Sequence, residues 1–324
     1  MSSRSSGPAV IALLLALPLF APSVLCAWGC QGHETIALIA QKHLTPEVRA
    51  KAEKLLAENP VDPQLPRACG QRSGDLLADA STWPDDVRSR LKNGPWHYID
   101  IPRSAERGPL EPFCGSRGCI RTAISEQLAL LRDRSAPAAL RADALRYLIH
   151  FIGDLHMPLH AATNNDEGGN CVPVQFFRRL PRAHQGSFTP NLHSIWDTAI
   201  VVRDMEGADP AEYADLLSET FSAEVPAWQT AGIHIDDWLW ESHELAETVA
   251  YGGLVPKVPI ETPAPVSSCT DQNNIGERMM RLHLVVDQSY QEIAAPVVRK
   301  RLAQAGIRLA LVLNDALQSV PPSR

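Results

Sequence analysis

Two histidine–aspartate pairs carry the strongest chemical signal in the chain. The stretch LIHFIGDLHMPLH, residues 148–160, places His150 and Asp154 four apart, so both project from one face of a helix. The surrounding residues are apolar. A carboxylate and an imidazole buried together are costly unless something satisfies both, and a bound cation does so directly. Pro158 ends or bends that helix, which can swing His160 back toward the same cavity. The second pair, in NLHSIWDTAI, repeats the spacing with His193 and Asp197. A third group, in TWPDDVRSRLKNGPWHYID, offers Asp85, His97 and Asp100 with Arg88 nearby. One such pair is ordinarily a hydrogen-bonded core histidine; repetition at this density is what points to metal. Imidazole nitrogen and carboxylate oxygen suit Zn²⁺ ahead of Mn²⁺ or Fe²⁺. Cysteine is absent from the motifs, which argues against a purely structural zinc site. The ligands outnumber the needs of one ion, so two or three ions with open positions are expected, and open positions mean catalysis.

The chain start bears on the same chemistry. A short polar segment with Arg4 precedes the nearly wholly apolar run Ala9–Val24, and Ala27 precedes Trp28. This pattern is a secretory signal peptide over residues 1–27, with cleavage expected after Ala27; the alternative is a retained N-terminal anchor. Cleavage there frees an α-amine on Trp28. That amine, the Trp28 carbonyl and His33 of WGCQGH could together hold a metal ion.

The elements that must position these residues are helical by periodicity. Expected helices cover His33–His43, Pro46–Ala57 with Thr45 as cap, Asp75–Ala80, Ile120–Arg134 and Ala138 to about Leu155. Further helices are expected over Leu192–Val202, Ala211–Ser222, Trp228–Val249 and, as one or two pieces broken near Pro296, Asn274–Leu317. Residues 60–73, 101–118 and 252–270 are Pro- and Gly-rich loops, and Val172–Phe177 is the one expected strand pair. No repeat, heptad run or hinge-like linker interrupts the pattern. The expected fold is therefore all-α, a single domain over residues 28–324 with at most a short β-hairpin.

Six cysteines remain beyond residue 27: Cys30, Cys69, Cys114, Cys119, Cys171 and Cys269. An even number behind a signal peptide suggests up to three disulfides, of which Cys114–Cys119 is a plausible local pair. The 324-residue chain has 30 basic and 37 acidic residues, a net charge of −7, and −8 once Arg4 is removed with the leader. That balance argues against a broad electrostatic grip on duplex DNA, not against nucleic acid held locally through metal ions.

Taken in order, the motifs WGxxGH, WPD, HYID, HFIGDxHxPLH, GGN and NLHxxWD resemble those of the secreted zinc-dependent single-strand-specific nucleases of fungi, plants and bacteria. More distantly they resemble those of bacterial zinc phospholipases C. The resemblance runs from Trp28 to about residue 320 and implies a mostly helical fold with three Zn²⁺ in a cleft. It implies a first zinc on Asp85, His97, His150 and Asp154, and a second on His160, His193 and Asp197. A third would sit on Trp28, His33 and Asp154, with Asp154 bridging. Arg88 would contact phosphate and Asp100 would assist the water. Gly168, Gly169 and Asn170 would line the cleft, and Tyr98 or Phe177 would stack on a base.

Tyr98 stands where the family often has phenylalanine near the nucleobase pocket, and Met157 where it commonly has glutamine, a change that should not disturb ligation. The implied activity is cleavage of single-stranded DNA and RNA to 5′-phosphorylated products, with 3′-mononucleotides also hydrolysed. The protein is expected to be secreted or periplasmic and monomeric. Two alternatives stand beside this: a zinc phospholipase C acting on phospholipids, alone or as a second activity, and a non-enzymatic zinc-binding protein. The second predicts missing ligands, and none is missing.

Overall fold

A computed structural model describes residues 28–70, 73–184, 186–261, 268–271 and 274–318. The signal peptide expected over residues 1–27, and its cleavage site, lie outside the described residues. Four helices build the first part: α1 (Gly29–His43), α2 (Pro46–Glu58), α3 (Leu76–Ser81) and α4 (Trp83–Leu91). The Thr45 hydroxyl accepts from Val48 N at the start of α2, as expected of a cap. Asp75 caps α3 by accepting from Leu77 N and Ala78 N. Helix α4 was not anticipated; it carries Asp85 in its first turn and Arg88 one turn later.

Helices α5 (Ile120–Arg132) and α6 (Ala138–Asp154) pack together, and α6 is buried from Ala144 to its end. Beyond it lie α7 (Leu192–Ser194), a π-helical turn over Ile195–Ala199, and α8 (Ile200–Asp204), where one continuous helix was expected. Then follow α9 (Pro210–Thr220), α10 (Val225–Thr230), α11 (Ile235–Leu245), α12 (Ile275–Met280) and α13 (Gln288–Leu317).

Helix α1 packs along α13. A Cβ at Gly306 would stand 2.5 Å from Ile39 Cγ2, so glycine sets how closely these helices approach. The core runs continuously through α1, α6, α11 and α13. Among the described residues no helix is long and apolar enough to cross a membrane.

Three expectations about elements are corrected. The single helix over Trp228–Val249 is two, because Gly232 turns the chain at φ 85° between α10 and α11. The strand pair does not form within Val172–Phe177, where Pro173 offers no donor and Phe177 has φ 52°. Instead β1 (Gln175–Phe176) pairs in parallel with β4 (Val285–Val286), and β2 (Arg182–His184) forms a hairpin with β3 (Ser187–Thr189). The C-terminal break falls between Arg281 and Asp287 rather than at Pro296. Pro296 lies on the exposed face of α13, so the carbonyl it leaves unpaired meets water.

The six cysteines among the described residues pair, as Cys30–Cys69, Cys114–Cys119 and Cys171–Cys269. The first ties the loop after α2 to the start of α1. The third ties the segment after α6 to the one before α12.

Candidate metal centre

The last turn of α6 brings His150 and Asp154 onto one buried face, both fully enclosed. His150 Nδ1 donates to the Ser81 carbonyl at 2.6 Å, since a carbonyl can only accept. This holds one proton on Nδ1 and turns His150 Nε2 to the cavity, so that a metal ion displacing the Nε2 proton meets an imidazole already oriented by the carbonyl behind it. His150 Nε2 lies 3.1 Å from Asp154 Oδ2 and 4.0 Å from Asp85 Oδ2. His97, on a 3₁₀ turn over Gly94–His97, brings Nδ1 to 3.1 Å from Asp154 Oδ2 and 3.8 Å from Asp85 Oδ1.

The other oxygen of Asp154 faces two different histidines. His33 Nε2 stands 3.2 Å from Oδ1 and His160 Nδ1 3.8 Å from it. His33 reaches this point because Gly153 has no side chain: a Cβ there would meet the His33 ring at 3.0 Å. The His33 and His150 rings stack at 3.9 Å. Trp28 is fully buried beside them, and its indole Nε1 donates to the Gly153 carbonyl at 2.8 Å.

After Asp154 a 3₁₀ turn over Pro158–Ala161 returns His160 to the cavity, as the proline required. Met157 is buried and its sulfur accepts from Leu159 N, capping this turn. His160 Nε2 is 3.8 Å from Asp197 Oδ1, and His193 Nε2 is 3.1 Å from Asp197 Oδ2. His193 Nδ1 donates to the Gly168 carbonyl at 2.7 Å, again presenting Nε2 inward. Asp197 sits inside the π turn, a helix irregularity common at functional sites.

Three sets of ligand atoms thus converge: Asp85, His97 and His150; His33, His150 and Asp154; and His160, His193 and Asp197. His150 belongs to two of them. A fourth cluster, Glu167 with Cys171 and Cys269, is closed to metal because its sulfurs form a disulfide.

Whether the residues fit a cation can be judged from their unmet bonding. Both oxygens of Asp85 and of Asp197 are buried without a hydrogen-bond partner, as are His97 Nε2, Asp154 Oδ1 and His160 Nδ1. Orphaned buried carboxylates at this density are expensive, and divalent cations remove the cost. Protonation agrees. Burial lowers His33 and His97 and takes His160 down to about 4, so these imidazoles are neutral. Asp154 is held well below the carboxylate range, against the push of burial, by His150, His33 and His97. His150 moves the other way, to about 9: burial opposes its charge, but Asp154 and Asp85 outweigh burial. A proton on His150 supplies the positive charge that a metal ion would bring to two carboxylates. Neutral imidazole and ionised carboxylate are the ligand forms zinc requires.

A family model described as S1/P1 Nuclease matches residues 28–318, which span all of these clusters. The chain belongs to the S1/P1 nuclease family. It is 29% identical to Nuclease S1 of Aspergillus oryzae, over 94% of this chain and 98% of that protein. It is 28% identical to Endonuclease 4 of Arabidopsis thaliana, over 96% and 95%. To Nuclease P1 of Penicillium citrinum it is 32% identical over 62% and 71%. Family and His/Asp clusters together make the protein a zinc-dependent nuclease acting on single-stranded nucleic acid.

The remaining expected residues of this nuclease spread around the centre. Arg88 projects Nη1 to 3.6 Å from Asp85 Oδ1 and is partly exposed. Asp100 is exposed yet set in the wall of a cavity of about 240 Å³ with Tyr98, Phe113 and Arg117. Loss of water there, and then the Asp166 charge, push its carboxyl up to about 6. Burial and Asp100 raise the Tyr98 phenol. Gly168 and Gly169, at φ 61° and 87°, form the turn that holds His193, and Asn170 Nδ2 donates to the Glu167 carbonyl.

The Phe177 ring has the Arg203 guanidinium 3.8 Å above it and Phe176 edge-on, at a tight turn.

Sequence reasoning missed the clamp on the glycine turn. Buried Asp166 accepts from Gly169 N, Asn164 N and the Tyr251 hydroxyl, the last at 2.8 Å. Arg103 lies over the Tyr251 ring at 4.3 Å and pairs with Glu247 at 2.6 Å. A carboxylate in the turn-rich run NNDEGG was the available signal.

Proposed function

We propose that the protein hydrolyses the P–O3′ bonds of single-stranded DNA and RNA, leaving a 3′-hydroxyl and a 5′-phosphate, and that it also hydrolyses nucleoside 3′-monophosphates. The observation that carries this reading is the convergence of Asp85, His97, His150, Asp154, His160, His193 and Asp197, with Tyr98 and Asp100, which follow His97 in the chain, lining a cavity. We assign one zinc to Asp85, His97, His150 and Asp154 and a second to His160, His193 and Asp197. We assign a third to His33, Asp154 and the amine and carbonyl of Trp28. Zinc bound there supplies Lewis acidity at the phosphate and lowers the pKa of water toward neutrality.

The chain's own groups do the rest. Arg88, at the rim beside Asp85, offers a planar guanidinium to the non-bridging oxygens and stabilises their charge in the transition state. Asp100 accepts a proton from the attacking water as the oxygen–phosphorus bond forms and the P–O3′ bond breaks. Tyr98 and Phe113 offer faces on which an unpaired base can stack, whereas a duplex must first unpair. Asp166 and Tyr251 hold the turn of Gly168, Gly169 and Asn170 and thereby orient His193.

Three disulfides support a secreted or periplasmic location for a mature chain of residues 28–324. The test is a rate comparison on zinc-loaded protein among single-stranded DNA, RNA, duplex DNA and phosphatidylcholine. Single strands should be cut fastest and duplex slowest of the nucleic acids. Hydrolysis of phosphatidylcholine without cleavage of either single strand would overturn the assignment in favour of a phospholipase.

A further inference from the structure

The segment leading into His193 carries a charge that the metal centre does not use. Residues 175–182 read QFFRRLPR. Arg178, Arg179 and Arg182 are exposed, and no carboxylate pairs with them among the described residues. With Leu180 and Thr189 they line an open cavity of about 330 Å³. The backbone that presents them is specialised. Phe176 and Arg179 exchange both of their N–H···O bonds at 2.9 Å around a two-residue turn. Phe177 occupies that turn at φ 52°, a conformation that a bulky side chain disfavours. Surrounding contacts must impose it, and the stack of Arg203 on Phe177 is one of them. That stack puts a fourth guanidinium beside the turn.

A single exposed arginine needs no explanation. Three in five residues, without a carboxylate partner among the described residues and sharing one depression on a chain of net charge −7, form a local exception to the protein's field. Arginine forks match phosphate oxygens in geometry as well as charge. The site is also within reach of the chemistry. Thr189, in the cavity wall, is four residues from His193, so the two Cα atoms are at most about 14 Å apart.

We propose that this hairpin is a second anion site, which grips the sugar–phosphate backbone of a bound single strand several nucleotides away from the bond being cut. The proposal rests on the nuclease reading above and adds a determinant of substrate length to it. Such a grip strengthens binding of long strands and leaves the chemical step alone. It should therefore act on KM, and only for substrates long enough to span from the metal centre to the hairpin.

The test compares the zinc-loaded enzyme with R178A/R179A/R182A on a single-stranded DNA oligonucleotide of roughly thirty nucleotides and on a dinucleotide. For the oligonucleotide, KM should rise about tenfold with kcat nearly unchanged. The slope of log(kcat/KM) against log(salt) should become shallower by about 2, from the loss of three phosphate contacts at roughly 0.7 each. Dinucleotide kinetics should not move. An unchanged KM and salt slope on the oligonucleotide, or equal losses on both substrates, would overturn the proposal. Wild-type protein alone gives a second check: its salt slope must be steeper for the oligonucleotide than for the dinucleotide, and equal slopes defeat the second site. Failure of the nuclease reading looks different, because the wild type would then cleave neither substrate.

Discussion

His97 Nδ1 stands 3.0 Å from His150 Nε2, and each of these nitrogens lies 3.1 Å from Asp154 Oδ2. Since Ser81 holds one proton of His150 on Nδ1, Nε2 is the nitrogen that a metal ion would free, and it points at the same spot as the carboxylate. Tetrahedral zinc with bonds near 2.0–2.1 Å separates its ligand nitrogens by about 3.3 Å, so this cluster is close to a ready-made zinc site. Asp154 turns its second oxygen to His33 and His160, which makes it the hinge between clusters.

Asp154→Asn should therefore do more than lose one ligand. Replacing a charged oxygen by an amide nitrogen removes charge from every cluster that Asp154 faces. Hydrolysis of single-stranded DNA and RNA should fall by well over about 100-fold, beyond the range for residues that only support ligands. Zinc content should fall with it. Metal analysis beside a rate assay checks both.

Asp100 sets an expected acid limit. Its carboxyl is pushed up to about 6, so it is ionised above that pH and protonated below it. If it accepts the proton of the attacking water, kcat/KM should decline as pH falls through about 6. Asp100→Asn should remove that limb and lower kcat by about 10²–10⁴-fold, with zinc content unchanged. A pH–rate profile of both proteins decides it.

Residues left ahead of Trp28 should block the α-amine. We expect one zinc fewer per chain and most of the activity lost. N-terminal mass spectrometry paired with a zinc count on extended and trimmed protein is the check.

Gly168→Ala should act through backbone. A Cβ at that position would stand 2.7 Å from the Leu159 carbonyl oxygen, and φ is 61°, so the turn must shift. The carbonyl that orients His193 shifts too. Activity should drop by about 10–100-fold, as for other outer partners of a metal ligand, with a weakened second zinc. Zinc affinity measured by competition with a chelator would show it.

The side chains of the His/Asp clusters were legible in the sequence because their spacing is local. His150 with Asp154, and His193 with Asp197, announce a shared helix face, and Pro158 announces the bend that returns His160. What was not legible depends on contacts distant along the chain. Nothing near His150 says that Ser81 will fix its proton, and nothing near Gly169 says that Tyr251 and Arg103 will brace Asp166. Helix α4 escaped notice because WPDDVRSRL is too short and polar for a clear apolar stripe. Its start depends instead on Pro84 and two acids in the first turn. The tight turn at Phe177 was not legible either, because it depends on pairing with distant β4.

The most direct measurement is zinc titration into chelator-stripped protein, following single-stranded DNA hydrolysis and bound metal together. The stripped protein should be inactive, and activity should return as zinc approaches three per chain. Full hydrolysis by metal-free protein, or full activity with the His/Asp clusters empty of zinc, would contradict the account.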